Sequence, residues 1–571
     1  MPPIRTAHPH RAALRTFGLS FGLLLALGGF AAVMSSASAR LPRDARPEDR
    51  GRPAPAPQDV LTGRLELIWG DAPPGPDGRP LEPHVLRAHL VEDDGRRRTL
   101  DSGRALVAAN DLYSLFGRRI AVGVAPSAAK TRGPNALGAD AAASEVLVPD
   151  AIVPIEDLIS PGPAQRRAKS AAAAQSVFET QAVAGTTTWV TLMCKFSDQA
   201  AEPKPLSFFQ SQYGTAVGQL GHYWQEVSYG QINLSGSNAY GWATLPEPRS
   251  SYITFDTATN KDKADLGKLF RDCTAAHDAN VNYAVNGGVQ GVNMMFNDNL
   301  DGSAWGGGQC GTLDGINKCW STTWNPPWSF NNLAPLSHEM GHAYGLPHAN
   351  NSDTDSDTYD NVWDVMSDSW NNAVSSTTFG ALPKHINMYS RNRLGWVASA
   401  RKRTINAGSG ASQIVLDRAS LAGSTNTQMI VLAYPGQTTR YYVLETRRRV
   451  GSYENRLPGD AVIVHEVQTS RKEPSWSVDA DQPPANRSNN EGSMFKVGET
   501  WTSPDFAFRV KVEAATAEGF VVTVKPAPAR PRPTPSRRAA SKPAELSPSV
   551  LAAVSARPSV APQSRLSQPQ R

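Results

Sequence analysis

Three histidines and a glutamate at fixed spacing carry the chemistry this sequence offers. They lie in His338-Glu339-Met340-Gly341-His342-Ala343-Tyr344-Gly345-Leu346-Pro347-His348, which is the pattern H-E-x-x-H-x-x-G-x-x-H. On a helix, residues four apart share a face, so His338 and His342 can point at one metal ion. Gly345 permits the left-handed conformation that ends the helix, and Pro347 forbids its continuation. The turned chain then brings His348 to the same point from outside the helix. Three neutral imidazoles with an open fourth position are the donor set of a catalytic zinc rather than a structural one. Glu339, beside a ligand, is placed to take a proton from a water that the metal activates. With five fixed positions at roughly 5% each, a chance match in a chain this long arises about once in five thousand sequences. H-E-x-x-H alone would arise in roughly one in fifteen, so Gly345 and His348 carry the weight. The competing reading is a polar helix whose histidines are satisfied where they sit. It has a second stretch to explain: Trp363-Asp364-Val365-Met366-Ser367 follows His348, where a methionine turn beneath such a metal would run. A lone Met is usually core filler, but the place of Met366 after the third histidine favours the turn.

These stretches resemble the metzincin zinc endopeptidases, and most closely the secreted bacterial enzymes of the immune inhibitor A and gametolysin type. The resemblance also rests on Leu220-Gly221-His222-Tyr223-Trp224-Gln225-Glu226-Val227-Ser228-Tyr229-Gly230 and on Leu394-Gly395-Trp396. It covers residues 186 to 400 well and the segment to about 525 more loosely. It implies an α+β catalytic domain, zinc on His338, His342 and His348, Glu339 as general base, and Gly345 and Met366 as supports. It also implies that a strand just before the zinc helix pairs with an extended peptide substrate. Some metzincins carry a tyrosine ligand two residues after the methionine; that position is Asp368 here, so no tyrosine ligand is carried over.

The remaining elements must position this site. The 571-residue chain has a formal net charge of +5 at pH 7. That mild balance, with much of the basic excess at the two ends, is not the signature of a nucleic-acid binder. Residues 1–39 read as a secretory signal: Arg5, Arg11 and Arg15 precede the apolar run Phe17–Met34, and Ala37-Ser38-Ala39 supplies small residues for cleavage. The alternative, an uncleaved anchor, is disfavoured by the glycines that interrupt the run, so a secreted protein with no stable membrane insertion is expected. Residues 40–58 read as a disordered leader and 527–571 as a disordered tail.

Residues 59–160 show short strand runs (Leu65–Trp69, His84–Leu90 and Arg119–Val124), expected as a small all-β pro- or accessory domain. The linker 161–185, with Gln165-Arg166-Arg167-Ala168-Lys169-Ser170, offers a processing site. Residues 186–400 form the catalytic segment, with a helix expected over Asp256–Ala276. Residues 401–526, with runs such as Tyr441–Glu445 and Phe520–Val524, read as an all-β, sandwich-like domain. Export to an oxidising compartment turns the four cysteines into disulfide candidates, with Cys310–Cys319 favoured as a local staple and Cys194–Cys273 as a longer link. No cysteine lies upstream of Cys194, which excludes a pro-segment thiolate capping the zinc.

Asp353, Asp355, Asp357 and Asp360 alternate in a manner that calcium can use, and Asp298 with Asp301 form a weaker group. A solvated polar loop is the other reading, and an EF-hand fails because Thr358 stands where its tight turn needs glycine. The expectation is a monomeric, secreted, zinc-dependent endopeptidase, made as a zymogen and acting on proteins or peptides. The alternative is a catalytically silent zinc protein that binds peptide or glycan. The only serine-hydrolase pattern, Gly18-Leu19-Ser20-Phe21-Gly22, lies inside the signal.

Overall fold

The computed structural model describes residues 59–75, 81–124, 146–158, 182–352, 358–480 and 491–526. A ten-stranded mixed sheet forms its spine. At its centre, Gly291–Phe296 lies parallel to both Ile316–Asn325 and Trp189–Lys195, and Trp189–Lys195 lies parallel to Asn238–Thr244. Gly291–Phe296 is buried at every position and Trp189–Lys195 at all but its last, because both faces of the sheet are covered there. One face carries Met295, Trp189, Tyr223, Trp224 and the apolar side of the histidine helix. The other carries Leu192, Met294, Trp320, Trp324 and the helix Leu266–Ala276.

The strand Ala304–Leu313, rich in glycine, folds back antiparallel on Ile316–Asn325. Over Ala304–Gly307 its other edge is covered. The strand Asp59–Asp71 pairs with it antiparallel, and Val85–Val91, Arg97–Leu100, Arg119–Val124 and Pro149–Pro154 continue the sheet outward. The strands expected within 59–160 are present, together with a helix, Ser102–Ala108, that the all-β reading did not include. That helix begins where the Asp101 side chain accepts the Arg104 N–H, as an N-cap does.

The expected helix over Asp256–Ala276 is half hairpin. Ile253–Asp256 pairs with Lys261–Ala264, and only Leu266–Ala276 is helical. The reasons are local: Asn260 takes φ 56, which turns the chain, and the Asp265 side chain accepts the Lys268 N–H, so the helix starts only at Leu266.

Beyond the histidine helix the chain builds a six-stranded and a four-stranded sheet. They enclose a shared core of Leu432, Leu444, Val464, Trp501, Val510 and Val522, as two sheets packed face to face do. The short strand Ala349–Asn351, directly after His348, joins the six-stranded sheet beside Ser475–Ser477. This ties the third histidine to the C-terminal strands. The molecule is thus mixed α/β and rich in strands. Both disulfides, Cys194–Cys273 and Cys310–Cys319, are present as expected, the second across paired positions of the glycine-rich hairpin. No helix among the described residues is long and apolar enough to cross a membrane. The signal, the leader, the linker through residue 181 and the tail lie outside the described residues.

Candidate metal centre

The histidine helix spans Leu333–Ala343 and is buried along its whole length. Its end is built by Gly345 at φ 89. The Gly345 N–H donates to the His342 carbonyl at 2.8 Å and the Leu346 N–H to the Gly341 carbonyl at 3.0 Å, the two bonds of a Schellman ending. The same turn aims a ligand: the Leu346 carbonyl lies 2.7 Å from His342 Nδ1. The methionine turn does likewise for the first histidine, with the Val365 carbonyl 2.6 Å from His338 Nδ1. A carbonyl only accepts, so both Nδ1 atoms carry the proton, and both Nε2 atoms are left as bare lone pairs.

Those lone pairs converge. His338 and His342 Nε2 lie 3.0 Å apart, and each is 3.1 Å from His348 Nε2. The His338 and His342 Nε2 atoms, both unprotonated, cannot hydrogen-bond to each other, and a cation between the three rings would satisfy them. An ion bound tetrahedrally at about 2.0–2.1 Å would need nitrogens roughly 3.3 Å apart, close to what is seen. Burial pulls His342 down to about 4 and His348 well below the usual histidine range, with neighbouring imidazoles adding to the fall. Neutral imidazole is the form that ligates. His338 is also desolvated, but Asp71 outweighs this and lifts it. The residues therefore fit a divalent metal ion.

Glu339 is buried on the same helix, and its Oε2 has no hydrogen-bond partner. Burial, and then the Asp71 carboxylate, push its carboxyl well above the usual range. Beneath the helix, a Cβ on Gly341 would run into the sulfur of Met366, so glycine is what lets the methionine turn lie so close. Asp364 pins that turn, its carboxylate accepting the N–H groups of Met366 at 2.8 Å and Asn387 at 3.2 Å. Behind the helix, Trp224 stands edge-on to Tyr344 and Trp396, which places the Leu220–Gly230 and Leu394–Trp396 stretches as packing for the site. Beside the histidines is a small cavity of about 30 Å³, walled by Trp328, Pro335, Ser367, Trp370 and Glu339.

Asp368 lies buried in that wall, held by the N–H groups of Trp370 and Asn371 and 4.0 Å from Lys384. Of the calcium candidates, Asp353, Asp355 and Asp357 lie outside the described residues. Asp360 is buried and accepts the Asn351 N–H at 3.0 Å. Asp301 is committed to Trp305 and to the Ala264 N–H, and Asp298 lies 3.7 Å from Arg249.

Two residues at the centre were not found in the sequence. Asp71, at the end of Asp59–Asp71, places Oδ1 2.6 Å from His348 Nε2 and 3.5 Å from His338 Nε2, with Oδ2 3.4 Å from His342 Nε2. Asp71, His338, His342 and His348 are all buried and together could hold a metal ion. Burial acts to raise the Asp71 carboxyl, but His348 and His338 outweigh it and hold the group well below its usual range. The second residue is Tyr359, whose hydroxyl donates to Asp71 Oδ1. It takes φ 62, a left-handed conformation unusual for an aromatic residue. The only sequence signs were a carboxylate closing an apolar strand and an aromatic ring just before Asp360, neither specific. No protein-family model matches the chain, and no curated protein matches it.

Proposed function

We propose that the chain is a secreted zinc endopeptidase of the metzincin type that hydrolyses peptide bonds of extracellular proteins. The observation that carries this reading is the convergence of three Nε2 atoms within 3.1 Å, on the same helix and turn as Glu339, whose Oε2 has no hydrogen-bond partner. A structural metal would have no use for that carboxylate. Zinc is the ion best matched to three imidazoles; when bound it polarises a peptide carbonyl and acidifies a water.

The chain's own groups do the rest. Glu339 takes a proton from the attacking water as its oxygen bonds to the carbonyl carbon. It hands that proton to the nitrogen as the C–N bond breaks, so the products are a carboxylic acid and a free amine. Tyr359, with its hydroxyl already directed at the cluster, is placed to donate to the carbonyl oxygen of a bound peptide as charge develops there. The edge of Ala304–Leu313 supplies the main-chain partners for an extended substrate.

The test is cleavage of casein or gelatin by protein recovered from culture medium. Cleavage should stop with a chelator and return with zinc. Zinc-loaded, matured protein that cleaves neither would favour the silent, peptide- or glycan-binding alternative.

A further inference from the structure

The edge that an extended substrate needs already carries a strand. The end of Asp59–Asp71 pairs antiparallel with the glycine strand, Ile68 opposite Gly307, Trp69 opposite Gly306, Gly70 opposite Trp305 and Asp71 opposite Ala304. The approach depends on glycine on both sides of the strand. A Cβ on Gly306 would run into the Glu339 carbonyl, and one on Gly307 into the Leu67 carbonyl. Residues two apart on a strand share a face, so Trp69 and Asp71 both reach the histidine helix. The Trp69 ring stacks on His342 at 4.8 Å and 6°, and the Asp71 carboxylate enters the cluster. The chain then leaves as Ala72-Pro73-Pro74, along the wall of the cavity beside Glu339. Proline has no N–H to extend the ladder, so pairing ends at the metal centre.

We propose that this strand keeps the intact chain latent: it takes the substrate's place on the glycine strand, and Asp71 gives the ion its fourth donor. The inference rests on the metalloendopeptidase reading and adds the regulation of that site. The strand's own domain is fastened at several points. His84 lies over the His348 ring at 4.0 Å and pairs with Glu473 at 2.8 Å, while Lys472 Nζ donates to the His84 carbonyl at 2.7 Å. Farther out, the Tyr113 hydroxyl donates to the Lys472 carbonyl at 2.6 Å, and Arg393 pairs with Asp111 at 2.8 Å. Latency therefore has two layers, a donor on the metal and a strand on the edge. Removing the carboxylate alone exposes the metal to a small anion and leaves the edge covered against protein.

Cobalt reports this without any turnover. The intact chain is loaded with Co(II), and its visible spectrum is followed during titration with azide. In Asp71→Ala azide shifts the spectrum at far lower concentration than in the wild type. If the carboxylate is seated in nine chains of ten, apparent azide affinity rises about tenfold on its removal. Asp71→Asn, nearly the same shape, is read alongside and is decisive if the alanine variant does not fold. Casein cleavage by undegraded Asp71→Ala stays far below that of matured enzyme. Azide shifting the wild-type spectrum as readily as the variant's would overturn the donor role of Asp71, with the metal site itself still standing. Casein cleavage by intact wild-type chain at the matured rate would overturn latency. Failure of cobalt to bind either chain would bring down the metal reading and this inference with it.

Discussion

His342 shows how much of the site is fixed one residue at a time. Its Nδ1 proton is spent on the Leu346 carbonyl, its ring lies under Trp69, and its Nε2 keeps a lone pair that could bind a metal. On the proposed reading, replacing it by alanine in the matured enzyme removes one of three protein ligands, and the remaining pair with water holds zinc poorly. His342→Ala should therefore lose zinc and activity together, as metal analysis beside peptidase kinetics will show. Met366 supports without ligating. Met366→Leu keeps the volume and loses only the fit of its sulfur against Gly341, so zinc should stay near one per chain. Stability should fall by less than about 1.5 kcal/mol, measured by denaturant unfolding. Zinc lost from Met366→Leu as completely as from His342→Ala would contradict this division of roles. The local motif made these residues legible, since ligands four and ten positions apart share one helix and its turn. Asp71 was not legible because it reaches His348 across 277 residues, and no periodicity links a strand end to a helix that far away.

Among the elements, the hairpin of Ala304–Leu313 and Ile316–Asn325 packs its Gly306 against the histidine helix, and the Cys310–Cys319 bridge ties its outer half. Closing a loop this short restricts the unfolded chain by about 2–3 kcal/mol. Cys310→Ser and Cys319→Ser should each lower unfolding free energy by about that much, and the double variant by little more. Costs that simply add would show that the two sulfurs do not act as one bridge. Strand positions were legible from alternation and from runs such as Tyr441–Glu445, which became Arg440–Arg447. The hairpin inside the expected helix Asp256–Ala276 was not. Its Lys261-Asp262-Lys263 face is exposed and polar, leaving no apolar period to separate strand from helix.

In the whole molecule, a buried ionic cluster joins the C-terminal sheet to the segment that follows the methionine turn. Glu445 accepts the Met388 N–H at 2.8 Å, pairs with Arg447 at 3.1 Å and meets His465 at 3.0 Å, while Arg447 also reaches Glu454. Burial works to raise the Glu445 carboxyl, but Arg447 and His465 outweigh it and bring it down to about 2 from the usual 4.5. A carboxyl lower in the folded state contributes stability that is complete above pH 4.5 and is lost as pH falls toward 2. Unfolding followed across that window should show Glu445→Gln losing less stability on acidification than wild type; equal losses would remove Glu445 as a source of the acid sensitivity. The all-β texture of the C-terminal segment could be read from its strand runs. The continuity of one sheet from Arg97–Leu100 to Asn238–Thr244 could not, because strand pairing between distant segments leaves no trace in either segment alone. The central claim, that the cluster is a hydrolytic zinc centre with Glu339 as its base, is tested most directly by turnover of matured Glu339→Ala beside its zinc content. The account predicts zinc near one per chain, as in wild type, with activity down by several orders of magnitude, on the order of 10⁴-fold or more. Near-wild-type turnover with zinc bound would contradict it.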